Sequence, residues 1–169
     1  MRVDPLFVDL RIALDNAEPL RKILMDHLAE SDASLTAPQR LLVDAGAAQM
    51  VQSIYTAAEN LLLKVAASID GGAPPKDEHW HAALLSRMSR AFPMRRPALL
   101  SARSLAAMNQ LRAFRHVVRN NYAHELDHER LLDNVNVAIA LLPSLAEDVD
   151  ALHRYMTAGD DANQDSMPK

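Results

Sequence analysis

Between Leu41 and Ile69 the chain repeats one signal. Leu41, Leu42, Ala45, Ala48, Val51, Ile54, Tyr55, Ala58, Leu61, Leu62, Val65 and Ile69 recur at the spacing of one helical face. The stripe is wide and about nine turns long, as expected for the central helix of a bundle. Thr36 to Gln39 reads as a capping box at its start, with Pro38 tolerated in the first turn. Asp70-Gly71-Gly72-Ala73-Pro74-Pro75 stops it firmly.

A helix this apolar must be covered by others, and the remaining sequence supplies them. A first helix is expected from about Pro5 to Glu30, using Leu6, Leu10, Leu14, Leu20, Ile23, Leu24 and Leu28, with Pro19 kinking or restarting it near Asn16. Ser31 to Ser34 is a short polar link. A shorter helix, from about Asp77 to Phe92, buries Trp80, Leu84, Leu85 and Met88. Pro93 to Pro97 form a loop, and Ser101 caps the next helix. Asp127 reads as the N-cap of a last helix, with Leu131, Val135, Ala138, Leu142, Leu145, Val149 and Leu152 inward and a bend at Pro143. Residues 159–169 are polar and aperiodic and read as a mobile tail beyond a single domain spanning residues 1–158. The expected fold is all-α, an antiparallel bundle of four to five helices.

Composition agrees and narrows the function. Of the 169 residues 49% are apolar, only 4% are aromatic and four are glycine, which favours helix over sheet. The absence of cysteine excludes disulfides and thiolate chemistry and fits a reducing, cytoplasmic setting. No apolar run approaches the roughly 20 residues that span a bilayer, so no membrane association is expected. The acids inside Met1 to Asp15 argue against a signal peptide. A net charge of −4 disfavours wholesale coating of nucleic acid but leaves room for a local basic site.

Such a site stands out in LRAFRHVVRNNYAHELD, residues 111–127. On a wheel of about 100° per residue, Arg112, Arg115 and Arg119 cluster, with His116 and Asn120 beside them. Leu111, Phe114, Val118 and Tyr122 lie on the neighbouring arc and face a core. No acid occurs between Ser101 and His124. A face of one sign suits an anionic ligand. The competing reading is a solvated basic face paired with Glu125, Asp127 and Glu129.

The remaining candidates are weaker. His124-Glu125-Leu126-Asp127-His128 matches the H-E-x-x-H zinc pattern, but a helix break near Asp127 keeps the two imidazoles off one face. No metal or cofactor is expected. His79 and His81 flank Trp80 at a spacing that cannot align both rings, which leaves an exposed His79 and a packed Trp80. His27 and His153 stand alone, and the methionines read as core. No Gly-rich phosphate loop, nucleophile elbow or carboxylate dyad is present.

Arg119, Asn120 and His124 compose R-N-x-x-x-H, and an arginine one turn from a histidine can work on a phosphodiester. The guanidinium neutralises phosphate while the imidazole moves a proton. The RNA 2′-hydroxyl supplies the nucleophile, so no metal is needed. With such a motif near the end of one helix of an all-helical bundle, the chain resembles the HEPN superfamily, and within it the HepT-like toxins. The resemblance runs from Ser53-Ile54-Tyr55-Thr56 and Ile69-Asp70-Gly71 through Trp80-His81 and Arg96-Pro97. It continues from Phe114 to Asn120 and Tyr122, then through Glu125-Leu126-Asp127 and Glu129-Arg130.

The resemblance implies a metal-independent endoribonuclease toxin, partnered and neutralised by a minimal nucleotidyltransferase antitoxin, and a homodimer with motif helices from both subunits lining one cleft. The family pattern runs arginine, a polar residue, three others, histidine, one more, then tyrosine. Anchored on Tyr122, it places Arg115 and His116 first and Asn120 where the family has histidine. The other register takes Arg119, Asn120 and His124. The resemblance thus implies phosphate binding by Arg115 and Arg119, proton transfer by His116 or His124, substrate orientation by Asn120, and AMP transfer onto Tyr122. The rival expectation is a non-catalytic HEPN module that binds a nucleotide, RNA or a partner protein through its arginine face.

Overall fold

The computed structural model describes residues 5–29, 34–120 and 126–164, with side chains described as far as residue 158. Among these residues there are five helices and no named strand: α1 (Pro5–Ala29), α2 (Ala37–Ser68), α3 (Trp80–Met88), α4 (Ala102–Asn120) and α5 (His128–Gln164). The all-α bundle expected from periodicity is the one observed. The central position of α2 is equally clear, since it packs against each of the other four helices.

Burial on α2 follows the apolar stripe for most of its length. Val51, Ile54, Tyr55, Ala58, Leu61, Leu62 and Val65 are all at most 1% exposed. Phe7, Leu10 and Leu24 of α1, Phe114 of α4, and Leu131, Val135 and Leu145 of α5 close the core around them. At its first turns the stripe overshoots the core: Leu41 is 38% exposed and Leu42 75%. Together with half-exposed Ile23 of α1, Leu42 lines an apolar groove on the α1–α2 surface.

Local chemistry sets most helix ends as expected. Gln39 Oε1 accepts the Thr36 backbone N–H at 2.9 Å, which is the reciprocal half of a capping box. Ser101 Oγ accepts the Ser104 N–H at 3.2 Å, and Asp127 Oδ1 accepts the Arg130 N–H at 2.7 Å. At the end of α2 the chain turns through Gly71 and Gly72, whose positive φ values of 86° and 153° suit glycine. Gly72 N–H returns to the Ala66 carbonyl at 3.1 Å. Two arginines cover further carbonyls there: Arg95 Nη1 donates to Ile69 at 2.8 Å and Arg87 Nη1 to Gly72 at 2.7 Å. Both place positive charge where the helix dipole favours it.

The bounds of the third helix need correction, and each proline-bearing helix is continuous. Helix α1 does not restart at Pro19; it is one helix from Pro5 to Ala29, with Ala17 and Leu24 buried on either side of the proline. Packing against α2 and α5 holds the segment together despite the missing N–H. Likewise α5 runs through Pro143 and continues past Gly159 to Gln164. The third helix is shorter at both ends than the periodicity of residues 77–92 indicates. At its start Asp77 Oδ1 accepts the His79 N–H at 2.8 Å in a turn. At its end the Met88 carbonyl accepts Leu99 and Leu100 N–H groups at 2.9 and 3.0 Å, so residues 89–100 fold back on it.

That returning segment is locked by a buried ion pair. Arg96 donates Nε and Nη2 to the two oxygens of Asp70 at 2.7 and 2.8 Å, and both side chains are 0% exposed. Its Nη1 also donates to the carbonyls of Arg90 and Pro97 at 3.1 and 3.0 Å. A buried charge this fully bonded is tolerated because each donor has an acceptor. The pair joins the end of α2 to the loop that delivers α4, and thereby fixes where the arginine-rich helix begins.

Candidate nucleic-acid interface

The basic face lies on α4, whose opposite side is anchored by buried Met108, Leu111 and Phe114. That anchoring turns the side chains at positions 112, 115, 116, 119 and 120 away from the core. Arg112 and Arg115 are half-buried, and His116, Arg119 and Asn120 are exposed. Among the described residues none of the three arginines has a carboxylate within ion-pair distance. Among the described residues Arg112 Nη2 makes a long bond to Asn109 Oδ1 at 3.4 Å, and its buried Nε has no hydrogen-bond partner. Asp127, proposed above as a neutralising acid, caps α5 instead. Glu129 makes no ion pair among the described residues, and Glu125 lies outside them.

The arginines border two grooves, each of about 620 Å³. On one side Arg112, Arg115, His116, Arg119 and Asn120 face His79 and His81 at the start of α3, with Arg130 of α5 at the edge. On the other, Arg115 and Arg119 meet Gln49, Gln52, Ser53, Thr56 and Asn60 of α2. Guanidinium groups thus form a ridge between a histidine-lined groove and one lined with neutral hydrogen-bonding groups. This accounts for Ser53-Ile54-Tyr55-Thr56: Ser53 and Thr56 line the groove while Ile54 and Tyr55 are buried in the core.

His116 and Asn120 are brought together one turn apart. Asn120 Nδ2 donates to His116 Nε2 at 3.0 Å and to the His116 carbonyl at 2.9 Å. Tyr122 and His124, the remaining predicted site residues, lie outside the described residues. His128 of the zinc-like pattern opens α5, with Nδ1 3.0 Å from both carboxylate oxygens of Asp44 on α2.

The sequence reading missed a second cluster beneath the arginines. His81 Nδ1 bonds Glu59 Oε1, and the same oxygen accepts the Tyr55 hydroxyl at 2.8 Å. Glu59 is only 5% exposed, and the His81 ring stacks on Trp80 at a centroid separation of 3.8 Å. Burial, followed by the charge and hydrogen bond of Glu59, holds the Tyr55 hydroxyl well above the usual phenol range; Arg115 and Arg112 oppose this from α4. The signal available in the sequence was Glu59 itself, an acid four residues after Tyr55 on the face destined for the core.

The described residues thus form an all-helical bundle whose fourth helix carries an arginine face with no carboxylate partner among them. A family profile described as HepT-like protein matches residues 46–156, which takes in most of α2, all of α3 and α4 and most of α5. The chain belongs to this HepT-like family. Neither the curated proteins nor the solved structures contain a match to it. No described helix is long and apolar enough to cross a membrane.

Proposed function

We propose that this HepT-like chain binds single-stranded RNA along the arginine ridge of α4 and cleaves it without a metal, as the toxin of a toxin–antitoxin pair. The observation that carries the reading is the set of guanidiniums at Arg112, Arg115 and Arg119, which lack a carboxylate partner among the described residues and border two open grooves. Like charges this close repel one another unless an anion sits among them. Arg115 and Arg119 hold phosphate, and Asn120 orients the substrate. The amide and hydroxyl groups of Gln49, Gln52, Ser53 and Asn60 meet base edges and 2′-hydroxyls. Proton transfer falls to a histidine of the site, with His116 and His124 as the motif candidates.

Family membership supports a matching reading of control. Transfer of AMP to Tyr122 by a minimal nucleotidyltransferase antitoxin would add negative charge two residues along the chain from Asn120. A homodimer that doubles the arginine cluster across a two-fold axis would strengthen the phosphate site, and the pair would act in the cytoplasm. One observation favours a second reading. The Asn120 amide bonds His116, and in the register anchored on Tyr122 it is Asn120 that takes the place of the family's histidine, as in a module that binds RNA without cutting it. Incubating the protein with labelled single-stranded RNA in EDTA, beside an Arg115→Ala/Arg119→Ala variant, separates the two. Cleavage by the wild type alone supports the ribonuclease; binding by the wild type with intact RNA leaves the binding module. Mass spectrometry after coexpression with the antitoxin tests for AMP on Tyr122.

A further inference from the structure

We propose that His81, held by Glu59, is the catalytic base of the groove and takes the proton of the RNA 2′-hydroxyl through Nε2. The inference rests on the ribonuclease reading and names a proton-transfer residue outside the arginine helix. Three observations carry it. First, His81 lines the same groove as Arg112, Arg115 and Arg119. Second, its ring is fixed on two sides, by the Nδ1 bond to Glu59 and by stacking on Trp80. Third, Nε2 has no hydrogen-bond partner among the described residues.

The tautomer follows from the partner. A carboxylate only accepts, and Glu59 Oε1 already accepts from Tyr55 at 2.8 Å, so the His81 ring donates Nδ1–H to it. In the neutral imidazole the lone pair then lies on Nε2, and the carboxylate stabilises the imidazolium that forms when Nε2 takes a proton. Glu59 is a positioning residue in this arrangement, and Tyr55 holds it in turn. His116 is placed less well. It is exposed, no carboxylate orients it among the described residues, and its Nε2 accepts from Asn120.

The step balances without a metal or redox partner. As His81 Nε2 takes the proton of the 2′-hydroxyl, O2′ bonds to phosphorus and the P–O5′ bond breaks. The departing O5′ takes a proton from water, and the hydroxide so formed recovers the proton from the imidazolium. The products are a 2′,3′-cyclic phosphate and a 5′-hydroxyl. The arginines neutralise the charge gathered on phosphorus oxygens as the nucleophile arrives.

The test uses the full chain, a fluorescein-labelled single-stranded RNA in EDTA, and the same oligonucleotide with 2′-O-methyl groups for affinity. His81→Asn keeps an N–H donor for Glu59 and removes the basic nitrogen. It is expected to bind the methylated strand within about twofold of wild type while single-turnover cleavage falls about 10²- to 10⁴-fold. Added imidazole is expected to restore part of the rate to His81→Ala, an effect that lost packing would not produce. Cleavage by His81→Asn within about threefold of wild type overturns the role of His81 and leaves the ribonuclease reading standing. Binding of RNA by the wild type with no cleavage, or cleavage that survives Arg115→Ala/Arg119→Ala, overturns the ribonuclease reading and the role of His81 with it.

Discussion

Arg96 and the arginines of α4 are the same residue type in opposite circumstances. Arg96 is buried and donates to both oxygens of Asp70 and to backbone carbonyls around it. Arg115 and Arg119 have no ion-pair partner among the described residues and face open grooves. The first arrangement is complete, so its worth is structural. The second is open among the described residues, and the proposed function completes it with a ligand. The difference separates the two motifs within one chain: Ile69-Asp70-Gly71 with Arg96-Pro97 ties the scaffold together, and Arg115 to Asn120 is the set proposed to meet a ligand.

The largest expected effect comes from breaking the closed pair. Arg96→Met leaves the Asp70 carboxylate buried without its counter-ion and frees the loop that delivers α4. A loss of about 3–5 kcal/mol is expected, read from the urea midpoint. A loss below about 1 kcal/mol would show that the pair does not lock the fold. By contrast, Arg115→Ala/Arg119→Ala should leave the urea midpoint within about 1 kcal/mol and act on binding. The slope of log affinity against log salt for single-stranded RNA should flatten by about 0.7 for each phosphate contact removed, hence about 1.4 for the double variant. An unchanged slope would mean these arginines do not touch phosphate.

Between these extremes sits Tyr55, buried like Arg96 but bonded to the groove cluster. Its hydroxyl is held above the ordinary phenol value of 10.0 by burial and then by Glu59. Above pH 10 the unfolded chain therefore loses this proton while the folded chain keeps it. Stability attached to Tyr55 is fully present below pH 10 and is lost as pH rises beyond it, with a slope approaching about 1.4 kcal/mol per pH unit. Tyr55→Phe should remove that component and cost about 1 kcal/mol at neutral pH. Thermal melts of both proteins between pH 8 and pH 11 check it; parallel curves would mean that neither burial nor Glu59 raises the Tyr55 hydroxyl.

The same contrast explains what was legible in the sequence. Helix identity follows from local periodicity, so Val51, Ile54, Tyr55, Ala58 and Leu62 were placed inside correctly. The ends of α3 were not legible, because they are set by Asp77 and by Leu99 and Leu100 returning to Met88. The exposure of Leu42 escaped for a related reason: a stripe reports helical phase, whereas burial depends on which neighbour reaches that turn. In the site, the arginine face was readable because its charges share one helix. The Glu59–His81 bond joins residues 22 apart on different helices, so neither the acid on a core face nor the histidine beside Trp80 names its partner. Unpaired charge is visible in one helix, whereas pairing across helices needs the fold.

A second surface carries the smallest expected effect and sharpens the comparison from the other side. Arg103 pairs with Glu147 at 2.7 Å, as short as the Arg96–Asp70 contact, yet these side chains are 63% and 72% exposed. Distance alone would rank the two pairs equal. Water already solvates both partners at the exposed site, so little is gained by pairing and little is stranded when one partner is removed. Arg103 also keeps its Nε bond to Ser144 Oγ at 2.9 Å when Glu147 is gone. Glu147→Ala should therefore change stability by no more than about 0.5 kcal/mol, measured by urea denaturation in low salt. A loss as large as that of Arg96→Met would mean that contact geometry rather than burial governs these pairs, and the division of the arginines into structural and ligand-binding sets would fail with it.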